Sequence, residues 1–199
     1  MRVISGTAGG IPLLTPKTDL RPTMDLVRGA IFSSLGEVVV GARVLDLFSG
    51  TGSLAIEALS RGAAEATLVE LNRKACAVIE QNLQRTSLLA RARLVAVDVF
   101  QYLRKQARVA QVDLIFADPP YAKTRGERDW SDDLVRLPEL LRVLAPGGLF
   151  LLETARGWKM PEATEWECVR LKEYGATQTL LLRPAEGRGG FVDVGGEQA

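Results

Sequence analysis

The sequence predicts an α/β fold in which helices cover both faces of a parallel sheet, and three observations carry that prediction. Short apolar runs of strand length alternate with segments of helical period from about residue 43 to residue 117. A glycine turn, Ser49-Gly-Thr-Gly52, follows the first of these runs directly, as where a strand feeds a helix in a nucleotide-binding unit. The chain has 199 residues, 47% of them hydrophobic, with a net charge of +1 and a mean hydropathy of +0.07, values of one soluble domain with a substantial core.

The elements follow in order. Residues 2–14 alternate apolar with small or polar positions around Gly9-Gly10 and predict a short hairpin ahead of the main sheet. Thr23, after Leu20-Arg-Pro, suits a helix N-cap, and Leu26, Val27, Ala30, Ile31 and Leu35 then share one helical face until Gly36. The alternation gives strand 43–48, helix 53–61, strand 66–71, helix 73–86, strand 93–97, helix 99–107 and strand 112–117. A helix within 131–143 stops at Ala145-Pro-Gly-Gly148, and Leu149-Phe-Leu-Leu-Glu153 reads as a buried strand. Residues 167–174 and 176–183, split by Gly175, form a closing hairpin. One domain over 1–183 is expected, with 1–36 as an extension and 37–183 as the core. The glycine-rich residues 184–199 are expected to be a disordered tail.

Composition excludes several chemistries. There is no apolar run near the ~20 residues of a membrane span and no signal-peptide pattern, so a cytoplasmic protein is expected. Cys76 and Cys168 lie far apart without a CxxC or a partnering histidine, and both are expected to be ordinary packing residues. The chain has no histidine, which removes Ser-His-Asp and Cys-His catalysis and most transition-metal sites; no metal is expected. Arg2, Lys17, Arg21 and Arg28 outnumber Asp19 and Asp25 near the N-terminus, and Lys123, Arg125 and Arg128 follow the segment Asp118-Pro-Pro-Tyr121. Phosphate contact and a solvated surface both account for these charges.

The residues around the glycine turn describe a cofactor site. Gly50 and Gly52 let the backbone approach a ligand, beside Asp46 and Ser49 at the end of the first strand. Glu70 closes the second strand, where a carboxylate can accept both hydroxyl hydrogens of a ribose. This much serves NAD and S-adenosylmethionine alike. Two details favour the methyl donor: Asp46 would repel a pyrophosphate but favours a cationic methionine moiety, directly or through water, and Asp98 can accept an adenine amino group. Asp98 can equally cap the helix that follows it.

Asp118-Pro119-Pro120-Tyr121 describes an amine-holding loop. An amino group conjugated to a base is a poor nucleophile because its lone pair is spread into the ring. The Asp118 carboxylate and the Pro119 carbonyl can hold its N–H groups so that the lone pair points at a methyl carbon, on a turn stiffened by Pro120. Tyr121 offers a stacking platform worth roughly 1–3 kcal/mol per base. A rigid proline turn with a surface tyrosine is the plainer alternative.

Met1-Arg-Val-Ile-Ser-Gly6, Leu20-Arg-Pro-Thr-Met-Asp-Leu-Val-Arg28, Asp46-Leu-Phe-Ser-Gly-Thr-Gly-Ser-Leu-Ala-Ile-Glu-Ala-Leu-Ser-Arg-Gly62 and Asp118-Pro-Pro-Tyr121 together resemble the bacterial 16S rRNA guanine-N2 methyltransferase family over nearly the whole chain to about residue 183. The resemblance implies a class I, Rossmann-like methyltransferase fold with a seven-stranded, mostly parallel sheet whose last strand is antiparallel. It implies S-adenosylmethionine as cofactor and, as partner, a guanine of 16S rRNA in the small ribosomal subunit or its assembly intermediate. Carried over by position, Asp46, Ser49, Gly50, Gly52, Glu70, Asp98 and Thr23 belong to the donor site. Asp118, Pro119 and Tyr121 hold the guanine amine, and Arg21, Pro120, Lys123 and Arg125 meet the RNA. Thr7-Ala-Gly-Gly-Ile-Pro12 departs from the family in lacking Lys and Arg, and the tail lies beyond its pattern. A monomer is expected.

Rival readings are an amino methyltransferase acting on DNA adenine N6 or a protein glutamine, an NAD-dependent oxidoreductase, and a silent RNA-binding module. The first needs a separate target-recognition region, and the second leaves Asp118-Pro-Pro-Tyr121 unexplained. Intact Asp46, Glu70 and Asp118 argue against the third.

Overall fold

The computed structural model describes residues 1–15, 23–106, 111–120, 130–162 and 164–185. Helix α1 (Thr23–Leu35) leads, through a 3-10 turn, into an alternating series: β1 (Arg43–Leu47), α2 (Ser53–Ser60), β2 (Glu65–Val69), α3 (Arg73–Arg85), β3 (Ala92–Val95), α4 (Val99–Gln106) and β4 (Val112–Ala117). Then come α5 (Trp130–Val135), α6 (Pro138–Val143), β5 (Leu144–Ala155), β6 (Trp166–Tyr174) and β7 (Thr177–Pro184). The seven strands form one sheet in the order β3-β2-β1-β4-β5-β7-β6, parallel from β3 to β5, with β7 antiparallel to both β5 and β6.

Two apolar cores cover the two faces of the sheet. Val27, Ile31, Phe32 and Leu35 of α1, with Ile56 and Leu59 of α2 and Ile79 and Leu83 of α3, pack on one face against Leu68, Leu114 and Phe116. Phe100 and Leu103 of α4, with Leu134 of α5 and Leu140 of α6, pack on the other against Leu45, Leu47, Ile115 and Phe150. Burial on both sides is why β1, apart from Arg43 and Asp46, and Leu114–Ala117 of β4 read as apolar runs rather than alternating ones.

Four sequence expectations are corrected. The helix expected within 131–143 is two helices, because Pro138 starts α6 and cannot continue α5. The strand expected at 149–153 begins at Leu144: Val112 pairs with Leu144 and Leu114 with Leu149, so Ala145-Pro-Gly-Gly148 bulges out of the ladder. Leu26 is 76% exposed, because the buried stripe of α1 runs through Val27, Arg28, Ile31, Phe32 and Leu35. Cys168 is exposed on β6, while Cys76 is buried as expected. Of the tail expected from residue 184, Pro184 closes β7, and 186–199 lie outside the described residues.

The N-terminal hairpin is an arm with a single antiparallel bridge, Arg2 to Pro12, closed by Val3 N–H to Ile11 O at 3.0 Å and Gly10 N–H to Val3 O at 2.8 Å. It lies against the end of α2. A Cβ at Gly6 would collide with the Ser60 carbonyl, and the Ser60 hydroxyl accepts from Ala8 N–H at 2.9 Å while donating to Ser5 O.

Candidate active site

The strand order reverses at β1. Its chain partners β2 and β3 lie on one side and β4 and β5 on the other, so a crevice opens between the carboxyl ends of β1 and β4. Leu47 pairs with Val69 on one side and Ala117 on the other. Phe48, Glu70 and Asp118, the next residue on each strand, therefore emerge side by side at roughly the 4.8 Å spacing of neighbouring strands.

Asp46 lies under this edge, 2% exposed, and its Oδ2 accepts from Ala55 N–H in the first turn of α2 at 3.2 Å. Burial pushes its carboxyl up to about 8. The Ala55 hydrogen bond opposes that rise, and the nearby Asp118 and Glu70 carboxylates add to it. Among the described residues no cation neutralises it. A buried acid with a helix N-terminus on one side and acids on the other is suited to a ligand that carries positive charge.

The turn above it is tightly built. Gly52 caps α2 with φ +75°, where a Cβ would meet Leu68 Cδ2 at 3.1 Å and Ile79 at 3.4 Å, so both backbone and space demand glycine. Its N–H donates to Ser49 O at 2.7 Å. The Ser49 hydroxyl turns inward and donates to Asp46 O at 2.7 Å, and its own N–H reaches Val69 O at 3.2 Å. Ser49 thus shapes the loop through the backbone.

Glu70 ties two loops together, accepting Gly50 N–H at 2.9 Å on Oε2 and Asn72 N–H at 2.7 Å on Oε1. Each oxygen keeps a second lone pair for a ligand hydroxyl. Asp98 caps α4, its Oδ1 accepting Gln101 N–H at 2.9 Å. The helix-cap alternative is thereby realised, and Oδ2 is the oxygen left for an amino group.

On the β4 side Asp118 is exposed, Pro119 buried and Pro120 exposed. Tyr121, Lys123, Arg125, Arg128, Lys17 and Arg21 lie outside the described residues, as does the side chain of Thr23. Arg28 is corrected: it is no phosphate contact, being 3% exposed and bound to Asp25 Oδ1 at 2.9 Å and to the Arg2 carbonyl.

Two features escaped sequence reasoning. Phe48 takes φ +57°, a left-handed conformation costing about 1–3 kcal/mol outside glycine, and its ring meets Phe100 at 6.5 Å and Trp130 at 6.4 Å, with Phe100 and Trp130 5.4 Å apart. These rings make an aromatic group at the carboxyl edge. The second is Asn82, fully buried on α3, whose amide reaches both the N-terminal arm and the glycine turn. An isolated Asn in an amphipathic helix carries no signal of this.

Residues 1–183 match the family described as conserved hypothetical protein 95. Ribosomal RNA small subunit methyltransferase D of Escherichia coli (strain K12) is 33% identical over 190 residues, 94% of this chain and 92% of that protein. Its namesake in Haemophilus influenzae is 28% identical over 186 residues, 92% of this chain and 93% of that one. Among solved structures, a hypothetical protein of Thermus thermophilus superposes with a TM-score of 0.74 at 30% identity, covering 91% of this chain and 98% of its own.

Proposed function

We propose a reaction for a chain that belongs to the conserved hypothetical protein 95 family, the family of the small subunit rRNA methyltransferases D: methyl transfer from S-adenosylmethionine to the exocyclic N2 amine of a guanine in 16S rRNA. The observation that carries it is the split of the crevice. Asp46 stands on β1, with Glu70 and Asp98 in the loops that follow β2 and β3, while Asp118 stands across the reversal just past β4. Donor groups thus occupy one side and the amine-holding loop the other, one strand apart.

S-adenosylmethionine brings a sulfonium-activated methyl group, so the chain's own task is binding and alignment. The buried Asp46 carboxylate fits the cationic methionine end, and the free lone pairs of Glu70 fit the ribose hydroxyls. Asp98 Oδ2 is placed for the adenine amine, with Gly50 and Gly52 giving the backbone its close approach. Asp118 and the Pro119 carbonyl accept the two guanine N–H groups, which orients the nitrogen lone pair. After transfer the cationic amine sheds one proton, which the exposed Asp118 passes to water. Tyr121 stacks on the guanine, and Arg21, Pro120, Lys123 and Arg125 meet the surrounding RNA.

The acceptor is the small ribosomal subunit or its assembly intermediate, met in the cytoplasm by a monomer whose residues 1–183 act as one unit. Among the described residues no helix is long and apolar enough to cross a membrane. Transfer of labelled methyl groups to small subunits lacking the modification, beside naked 16S rRNA and duplex DNA, tests the reading. Label recovered as N2-methylguanosine is the expected product. Label confined to DNA adenine would replace the acceptor, and transfer to none of the three would overturn the reaction.

A further inference from the structure

Resting on that donor assignment, we propose that Asn82 is a positioning residue that makes the N-terminal arm part of the donor site. Asn82 is 0% exposed, and its carboxamide uses both donors and its acceptor on backbone groups. Oδ1 accepts from Leu14 N–H at 2.7 Å, and Nδ2 donates to Leu14 O at 3.0 Å and to Thr51 O at 3.0 Å. Leu14 closes the arm, and Thr51 lies between the two glycines of the donor loop. One amide therefore bridges segments that no ladder joins.

The second donated hydrogen carries the inference. The Thr51 carbonyl and the Gly52 N–H belong to one peptide group. Asn82 grips it at the oxygen, and Ser49 O grips it at the nitrogen, 2.7 Å away. That peptide sets where the loop meets the first turn of α2, and hence where Ala55 N–H meets Asp46. A side chain needed only to dock the arm would have satisfied Leu14 and stopped there. The arm adds a second touch on the same residue, with the Thr51 hydroxyl donating to Met1 Sδ at 3.8 Å. Its other end is held independently by Glu57, which accepts Ile4 and Ser5 N–H at 2.7 and 3.1 Å, and by Ser60.

Asn82→Asp keeps the acceptor for Leu14 N–H and removes both donors. Calorimetric titration of S-adenosylmethionine into wild type and variant is expected to show donor affinity weakened about tenfold, with the donor KM rising in step and kcat at saturating donor within about twofold. Ser60→Ala removes contacts at the turn of the arm, which Glu57 still holds, and leaves the Asn82 bridge from Leu14 to Thr51 intact. It is therefore expected to lower the melting temperature and leave donor affinity unchanged. A measurement on the wild type needs no variant to fold. Because coupling is reciprocal, S-adenosylhomocysteine is expected to slow hydrogen exchange at the Leu14 amide about tenfold. Donor affinity in Asn82→Asp equal to wild type, or Leu14 exchange unmoved by a ligand that binds, would overturn the inference and leave the donor assignment standing. Wild type that takes up neither ligand would overturn both.

Discussion

Asp46 and Glu57 are two sealed carboxylates on one β1–α2 unit, 2% and 0% exposed, and they are treated in opposite ways. Glu57 is surrounded by donors: Ile4 N–H at 2.7 Å, Ser5 N–H at 3.1 Å and Arg61 Nε at 2.7 Å, with Arg28 Nε 3.6 Å away. Asp46 has one backbone N–H, at 3.2 Å, and two acidic neighbours. Burial alone therefore does not mark a functional carboxylate. The deficit of partners does, because an acid left short of positive charge in a folded core is waiting for a ligand to supply it.

The largest expected break in that comparison is Glu57→Ala. It removes the more buried of the two acids beside the Arg28 guanidinium, leaving Asp25, and strands two arm N–H groups. Urea unfolding should show a loss of about 3–5 kcal/mol, a large part of the roughly 5–15 kcal/mol of a typical domain. Next is Asp118→Ala, which acts on the amine and leaves the donor side alone. Methyl transfer should fall about a hundredfold or more with donor affinity kept, and unchanged turnover would refute the role.

Asp46 sharpens the contrast through pH. Its folded pKa of about 8 lies above the unfolded value of 3.8, so between them the folded chain holds a proton that the unfolded chain has released. Its contribution to stability is therefore fully present below 3.8 and is lost as pH rises through 8. Asp46→Asn should remove that loss, melting above wild type at about pH 9 while binding the cationic donor more weakly. In wild type, donor affinity should rise about tenfold per pH unit up to 8, with proton release on binding that the variant lacks. Glu70→Ala is the smallest: roughly 1.5 kcal/mol of donor affinity by calorimetry, at the low end for a charged acceptor because Gly50 and Asn72 share its oxygens.

What could be read ahead of the structure were features written in side-chain periodicity and glycine. The strand and helix alternation, the turn at Gly50 and Gly52, and the acids Asp46, Glu70 and Asp98 all stand where the pattern put them. The misplaced features depended on competition between local signals: Pro138 divided an apolar run into α5 and α6, and Arg28, reaching inward to Glu57, rotated α1 so that Leu26 faced water. Asn82 was illegible for another reason. Its partners are backbone atoms of Leu14 and Thr51, 68 and 31 residues away, and backbone atoms have no letter in a sequence.

That separation has a consequence for how the chain is made. The arm is synthesised before everything that anchors it, because Glu57, Ser60 and Asn82 are translated 52–68 residues after their partners. At ~5–20 residues per second, Leu14 waits roughly 3–14 s for Asn82 to exist. The arm can close its own turn and meet Glu57 and Ser60 earlier, but Leu14 must wait for the third helix, and only that late docking completes the loop that holds the donor.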